Sequence, residues 1–222
     1  MPKIDPYQTR AADYDRWFER HPYVYQAELE AVRRLAPKSG KGIEVGVGTG
    51  RFAQPLGITV GVDPSPAMMN IAATRGIDLI AGTAEWLPLR SAVCDYVTMI
   101  TILHLLDDAP AAVGECYRML VPGGKIIIGY LERDSPMGRE YSQPPRDDDP
   151  EEYFREVHFF SGDEVLEILR RSGFQNPAFA QTVFRAVDDI IDREPVEPGH
   201  GRGSFVVVRA EKPIGDRAIE FV

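Results

Sequence analysis

Residues 44–50 read Glu-Val-Gly-Val-Gly-Thr-Gly, three glycines at alternate positions directly behind an apolar run. Glycine enters backbone conformations closed to other residues and lets a ligand lie against bare main chain, at an entropic cost that an ordinary connection avoids. The stretch therefore points to a ligand. Glu44 opens it, and a carboxylate there opposes a bound pyrophosphate and suits a cation. Gly48, Gly50 and Ala53 satisfy GxGxxA, so a nicotinamide oxidoreductase is the obvious rival. That motif needs a full helix after the turn and an acidic residue about 20 positions further on for the ribose. Here 51–56 holds one or two turns, with Pro55 inside, and Asp63 arrives early. The connection is too compressed for a dinucleotide unit.

The elements that must position these residues alternate. Short apolar, β-branched runs at 42–46, 58–62, 77–80, 95–101, 125–131, 178–186 and 204–210 predict strands. Their near-continuous apolar character suits strands covered on both faces. Helices are expected over 8–20, 22–36, 66–75, 108–120 and 161–172, the last opened by a Ser161/Glu164 capping box and stopped at Gly173. This order gives an α/β, doubly wound, mostly parallel seven-stranded sheet of Rossmann-like type with an antiparallel C-terminal strand, binding ligands beyond its carboxyl strand ends. The last two strands, with no good helix between them, are expected as an antiparallel pair at one edge. One domain over 1–222 is expected, with a helical cap over 1–38 and a lid-like insertion over 131–160, too long for an ordinary connection. Its DDDPEE run is most simply a solvated turn.

A formal charge of -9 in 222 residues would repel a phosphate backbone, so nucleic acid is not the expected partner. Cys94 and Cys116, the only cysteines, both sit in apolar stretches and support neither a disulfide framework nor a metal site. The N-terminal residues lack a signal peptide's apolar core, and no run approaches the ~20 residues that span a bilayer. A cytoplasmic protein with no membrane association is expected.

Five motifs in order, EVGVGTG at 44–50, VDPSPAMM at 62–69, GTAEWLPL at 82–89, CDYV at 94–97 leading to TILH at 101–104, and LVPGGK at 120–125, make the chain resemble the class I S-adenosylmethionine-dependent methyltransferases of type 11. The resemblance covers about residues 40–130. It implies that S-adenosylmethionine is the methyl donor and S-adenosylhomocysteine the product. Gly46, Gly48 and Gly50 would lie under the methionine portion, with Glu44 shaping the loop and balancing positive charge. Asp63 would accept from both ribose hydroxyls, Pro64 and Ser65 would flank the adenine, and Thr83, Ala84 and Glu85 would read its edge. Many relatives carry Asp where this chain has Thr83, so the usual acceptor for the exocyclic amine is replaced or lost. Thr101 would touch the methionine end. Tyr14 lies on a helix that folds over the cofactor in similar enzymes and would meet the sulfonium, since aromatic rings attract cations.

Structural roles compete with these. Tyr14, Trp17 and Phe18 at helical spacing form a packing stripe, Trp86 and Met68 are expected in the core, and Asp63 could cap a helix. Methyl transfer needs alignment above all, and a base only if the acceptor arrives protonated. His104, Tyr14, Tyr141 and His158 are candidates for that base, and nothing in the sequence chooses among them. His104 equally serves as a buried structural histidine. No asparagine-proline-proline-aromatic motif follows the fourth strand, which with the acidic balance favours a small-molecule acceptor. The alternative is a non-catalytic S-adenosylmethionine-binding regulator of the same fold. Oligomeric state and acceptor are not encoded in any motif.

Overall fold

The computed structural model describes residues 5–141 and 157–215. Eight strands form one sheet in the order β3-β2-β1-β4-β5-β8-β6-β7. They are β1 (Gly42–Val45), β2 (Val60–Asp63), β3 (Asp78–Ala81), β4 (Cys94–Ile100), β5 (Leu120–Leu131), β6 (Gln175–Thr182), β7 (Glu197–Pro198) and β8 (Phe205–Glu211). The first five run parallel, β8 adds antiparallel to β5, and β6 adds antiparallel to β8. Seven strands were expected. The eighth, β7, is a two-residue edge pairing with Ala180 and Gln181 that carries no hydrophobic alternation to read. Strand order reverses between β1 and β4, the place where such sheets bind ligands beyond their carboxyl ends.

Period-two alternation sorts the strand residues to two faces. Ile43, Val45, Val97, Met99, Ile126, Ile128, Val206 and Val208 share one core with Val113 and Cys116 of α6 (Ala109–Met119) and Leu169 of α8 (Gly162–Arg171). Ile100, Ile127, Leu131 and Val207 join the other, with Phe18 of α2 (Ala11–Arg20), Val24 and Val32 of α3 (Pro22–Leu35) and Ala72 of α5 (Pro66–Ala73). Because Ile43 and Val45 take the first face, Glu44 between them belongs to the second, where the N-terminal helices lie. Both cysteines are buried and unbridged.

Helix ends follow their caps. Ser161 and Glu164 form the expected capping box, and Ser65, rather than Asp63, caps α5 by accepting from the Met68 N–H at 3.3 Å. The connection after the glycines contains only α4 (Ala53–Leu56), closed by Gly57 at φ 72°, so the full helix of a dinucleotide unit is absent there. The 8–20 segment splits into α1 (Asp5–Thr9) and α2. Of the 131–160 insertion, 131–141, which includes α7 (Pro136–Tyr141), and 157–160 are described; the DDDPEE run lies outside the described residues.

Candidate active site

The carboxyl ends of β1, β2 and β4 converge on one crevice. Its lining includes Gly46, Gly48, Asp63, Pro64, Ser65, Thr83, Ala84, Glu85, Thr101 and Tyr14. Ten of the twelve residues expected at the cofactor are thus brought together. Gly46 has φ 70°, and a Cβ there would overlap the Ile102 side chain, so only glycine fits. Gly48 has φ 53° and faces the Tyr14 ring. Gly50 does not line the crevice: it abuts Ile77 and Ala72, and its role is to let the loop pack on α5. Glu44 is also set back from the lining, buried beneath the loop and accepting from Thr98 Oγ1 at 3.3 Å.

Asp63 is held by two main-chain donors. The Gly48 N–H reaches Oδ2 and the Ser65 N–H reaches Oδ1, each at 2.8 Å. A carboxylate offers about four acceptor sites, so each oxygen keeps one. Burial raises the Asp63 pKa, and those two hydrogen bonds pull against the rise. Across the crevice the Thr83–Trp86 turn follows β3, with the Trp86 N–H donating to the Thr83 carbonyl at 3.2 Å. Glu85 Oε1 accepts from the Asp107 N–H at 3.1 Å, tying this turn to the segment after β4. Trp86 was expected in the core and is 83% exposed. The turn sends it outward, and Leu87, 4% exposed, takes the core position instead.

Thr101, at the tip of β4, is a β-branched residue at φ 53°, a conformation that costs energy and persists only when its surroundings hold it. Its hydroxyl donates to the Ile100 carbonyl at 2.8 Å, and its N–H donates to Gly129 O at 2.8 Å. It also shares a side-chain hydrogen bond with Tyr14. Tyr14 is positioned from α2, which is clamped to the glycine loop. Arg51 donates to Asp15 Oδ1 at 2.8 Å and Oδ2 at 2.7 Å, while Arg75 donates to Asp15 Oδ2 at 2.9 Å and to the Thr49 carbonyl at 2.6 Å. Burial works against the Asp15 carboxylate, but the bonds from Arg51 and Arg75 outweigh it and hold the pKa down to about 2. From α1, Gln8 Oε1 accepts from Ser65 Oγ at 2.8 Å, fastening that helix to the start of α5. The aromatic stripe packs as expected, Phe18 meeting Tyr14, Tyr25 and Phe52 edge to face.

A second cavity of about 510 Å³ lies behind Tyr14. Tyr7, Tyr14 and Thr101 line both spaces. Trp17, Phe18, His104, Leu131, Met137 and Tyr141 wall the second one. His104 is buried and stacked on Phe159 at 5.2 Å, so its structural role and its exposure to this cavity coexist. His158 lines neither space; it is exposed and stands edge-on to Phe160. Sequence reasoning missed Glu28, which is 5% exposed and lines the second cavity. Its signal was present: Val24, Ala27, Ala31 and Val32 form the buried face of α3, and Glu28 interrupts that face at helical spacing.

The charges decide which ligand fits the crevice. No Lys or Arg is among the described residues that line it, so a pyrophosphate would find no counter-ion. Burial pushes the Glu28 and Glu44 carboxyls up to about 8, and no cation offsets either rise. Glu28, Asp63 and Glu44 all act on Tyr14, whose hydroxyl is held above its ordinary range chiefly by burial. Three carboxyls around one aromatic ring suit a phosphate-free nucleoside bearing a positive charge.

The family model of a methyltransferase domain matches residues 43–128. A crystal structure from Thermotoga maritima, of an S-adenosylmethionine-dependent methyltransferase named as a possible histamine N-methyltransferase, superposes with a TM-score of 0.87. It is 40% identical, over 93% of this chain and 97% of that one. The chain belongs to the S-adenosylmethionine-dependent methyltransferases. An uncharacterised protein of Methanocaldococcus jannaschii is 40% identical over 94% of this methyltransferase and 100% of its own length. One from Mycobacterium tuberculosis is 32% identical over 79% of this methyltransferase and 62% of its own length, so this chain spans only part of it. S-adenosylmethionine is the methyl donor, supplying when bound an electrophilic methyl on a sulfonium. No helix among the described residues is long and apolar enough to cross a membrane.

Proposed function

We propose that this methyltransferase acts on a small-molecule acceptor held in the 510 Å³ cavity, in line with a donor whose nucleoside rests on Asp63. The observation that carries this reading is the shared wall: Tyr7, Tyr14 and Thr101 border both spaces, so a methyl group at that junction faces the crevice on one side and the cavity on the other. Displacement at carbon needs nucleophile, methyl and leaving sulfur in a line, and holding that line supplies most of the acceleration. In this reading the free acceptor site on each Asp63 oxygen receives one ribose hydroxyl. Pro64 and Ser65 flank the adenine, Thr83 to Glu85 border its edge, and Gly46 and Gly48 underlie the methionine portion. Tyr14 presents its ring to the sulfonium. Glu44, set behind the loop, tunes the local charge without touching the ligand.

The cap consists of α1 and α2, fastened through Gln8 and Asp15, while α3 serves the core. Met137 and Tyr141, from the described part of the insertion, close the far wall. A cavity of this size, with Tyr7, Tyr14, Trp17, Phe18 and Tyr141 in its wall, suits a ring-bearing small molecule, and the two arginines that border it, Arg10 and Arg20, are too few to form a track for a nucleic acid. Two buried, unbridged thiols and the acidic balance fit a cytoplasmic location. A crystal structure with S-adenosylhomocysteine tests the reading. The expected result is ribose on Asp63 and sulfur facing the cavity; ribose elsewhere, or a sulfur facing bulk solvent, rejects it.

A further inference from the structure

Glu28 is a carboxyl that the fold buries and leaves alone. It is 5% exposed, it borders the cavity, and no hydrogen bond or ion pair holds it among the described residues. A buried carboxyl without a partner is costly, by several kcal/mol once it ionises, so natural chains rarely keep one unless something else completes it. Glutamine or an apolar residue would fill the same position on α3 at lower cost.

We propose that Glu28 recognises the acceptor as an amine, pairing with its nitrogen in the aromatic cavity and taking the proton the nitrogen must lose before methyl transfer. This rests on the reading of that cavity as the acceptor site. Tyr14, Trp17, Phe18 and Tyr141 offer ring faces and edges to an organic cation and to any ring attached to it. Charge separates an amine from a phenol here. A phenolate beside the Glu28 carboxylate would set one anion against another in a buried wall, whereas an ammonium pairs with that carboxylate. Arg10, Arg20 and Asp13 also border the cavity; Arg20 and Asp13 are exposed, where solvent screens them, and Arg10 is half-buried.

The proton balance is closed. An ammonium entering beside a sulfonium brings two cations together and has no lone pair for attack. Transfer of one N–H proton to the Glu28 carboxylate removes both obstacles. The nitrogen lone pair then forms the C–N bond as the C–S bond breaks, sulfur keeps the bonding pair, and the product leaves as a methylated ammonium. The proton on Glu28 returns to solvent. One proton is released per methyl transferred, and no oxidant, reductant or metal is required.

The test compares phenethylamine with 4-ethylphenol, together with a panel of other aromatic primary and secondary amines, by release of S-adenosylhomocysteine. Wild type and Glu28→Gln are assayed side by side. The wild type is expected to turn over amines and not the phenol. Glu28→Gln is expected to lose about 100-fold in kcat/KM for the amine, to bind S-adenosylhomocysteine within about twofold of wild type by the placement of Glu28 outside the crevice, and to keep or raise its Tm. Turnover of the phenol alone, of no amine in the panel, or of amines equally by the variant overturns the proposal. A tenfold loss of S-adenosylhomocysteine binding in the variant also overturns it, by moving Glu28 to the donor. If the wild type binds no S-adenosylhomocysteine, the donor-site reading fails instead, which calorimetry separates from the turnover result.

Discussion

Replacing Asp63 with Asn is the sharpest probe of how the donor is held. The carboxylate spends one acceptor site on the Gly48 N–H and one on the Ser65 N–H, both at 2.8 Å, and keeps one per oxygen. In the variant, one amide oxygen retains its main-chain donor and a single free site. The NH2 group at the other position faces either the Gly48 N–H or the Ser65 N–H, donor against donor. One ribose contact is therefore lost and the other falls from a charge-assisted to a neutral hydrogen bond. At about 1.5–3 kcal/mol for a charge-assisted bond and about half that for a neutral one, the loss is about 2–4 kcal/mol. That corresponds to a Kd for S-adenosylhomocysteine raised about 30-fold to 1,000-fold. Isothermal titration measures it directly, with circular dichroism checking that the variant folds. A folded variant whose Kd lies within about threefold of wild type refutes the assignment of the ribose to Asp63.

Two further outcomes follow from the supports of the site. Asp15, held down to about 2 by Arg51 and Arg75 against an ordinary value of 3.8, contributes stability that is complete above about pH 4 and lost as pH falls toward 2. Asp15→Asn should cost about 1–2 kcal/mol at pH 7 after allowance for solvent screening, and should flatten the acid limb of a urea-denaturation series; an unchanged limb contradicts the clamp. Gly46→Ala places a methyl against Ile102 at φ 70°, and should cost about 2–4 kcal/mol and weaken S-adenosylhomocysteine binding. A variant as stable as wild type in urea would show that the loop accommodates a side chain.

The parallel half of the sheet was legible because its strands are buried on both faces and show as unbroken apolar runs, as in ITVGV and KIIIGYL. That the glycine loop and Asp63 border one crevice was legible because bare backbone and a lone carboxylate at adjacent strand ends leave composition few alternatives. Trp86 misled because a short run of sequence cannot tell which way a turn throws a large ring, and Leu87 beside it met the same apolar demand. Glu44 was read as shaping the loop and balancing positive charge, and strand alternation puts its side chain under the loop, off the crevice lining, once Ile43 and Val45 claim the opposite face. Glu28 escaped notice because its meaning is tertiary. On α3 it interrupts an apolar face at helical spacing, but only the packing of α3 beside β5 and β8 reveals that it has been taken out of water.

The same packing explains how donor and acceptor can be linked in this fold. Tyr14 touches both spaces, is bonded to the strained Thr101, and rides on a helix clamped by Asp15 to the loop that follows the glycines. A displacement of α2 therefore changes the wall of the cavity and the roof of the crevice together. Around that residue three carboxyls are buried, and Glu28 and Glu44 favour their neutral forms until positive charge arrives. A cationic donor lowers the cost of ionising them. Under the proposed amine reading, arrival of the donor prepares the carboxylate at Glu28, and donor binding is expected to precede deprotonation of the acceptor.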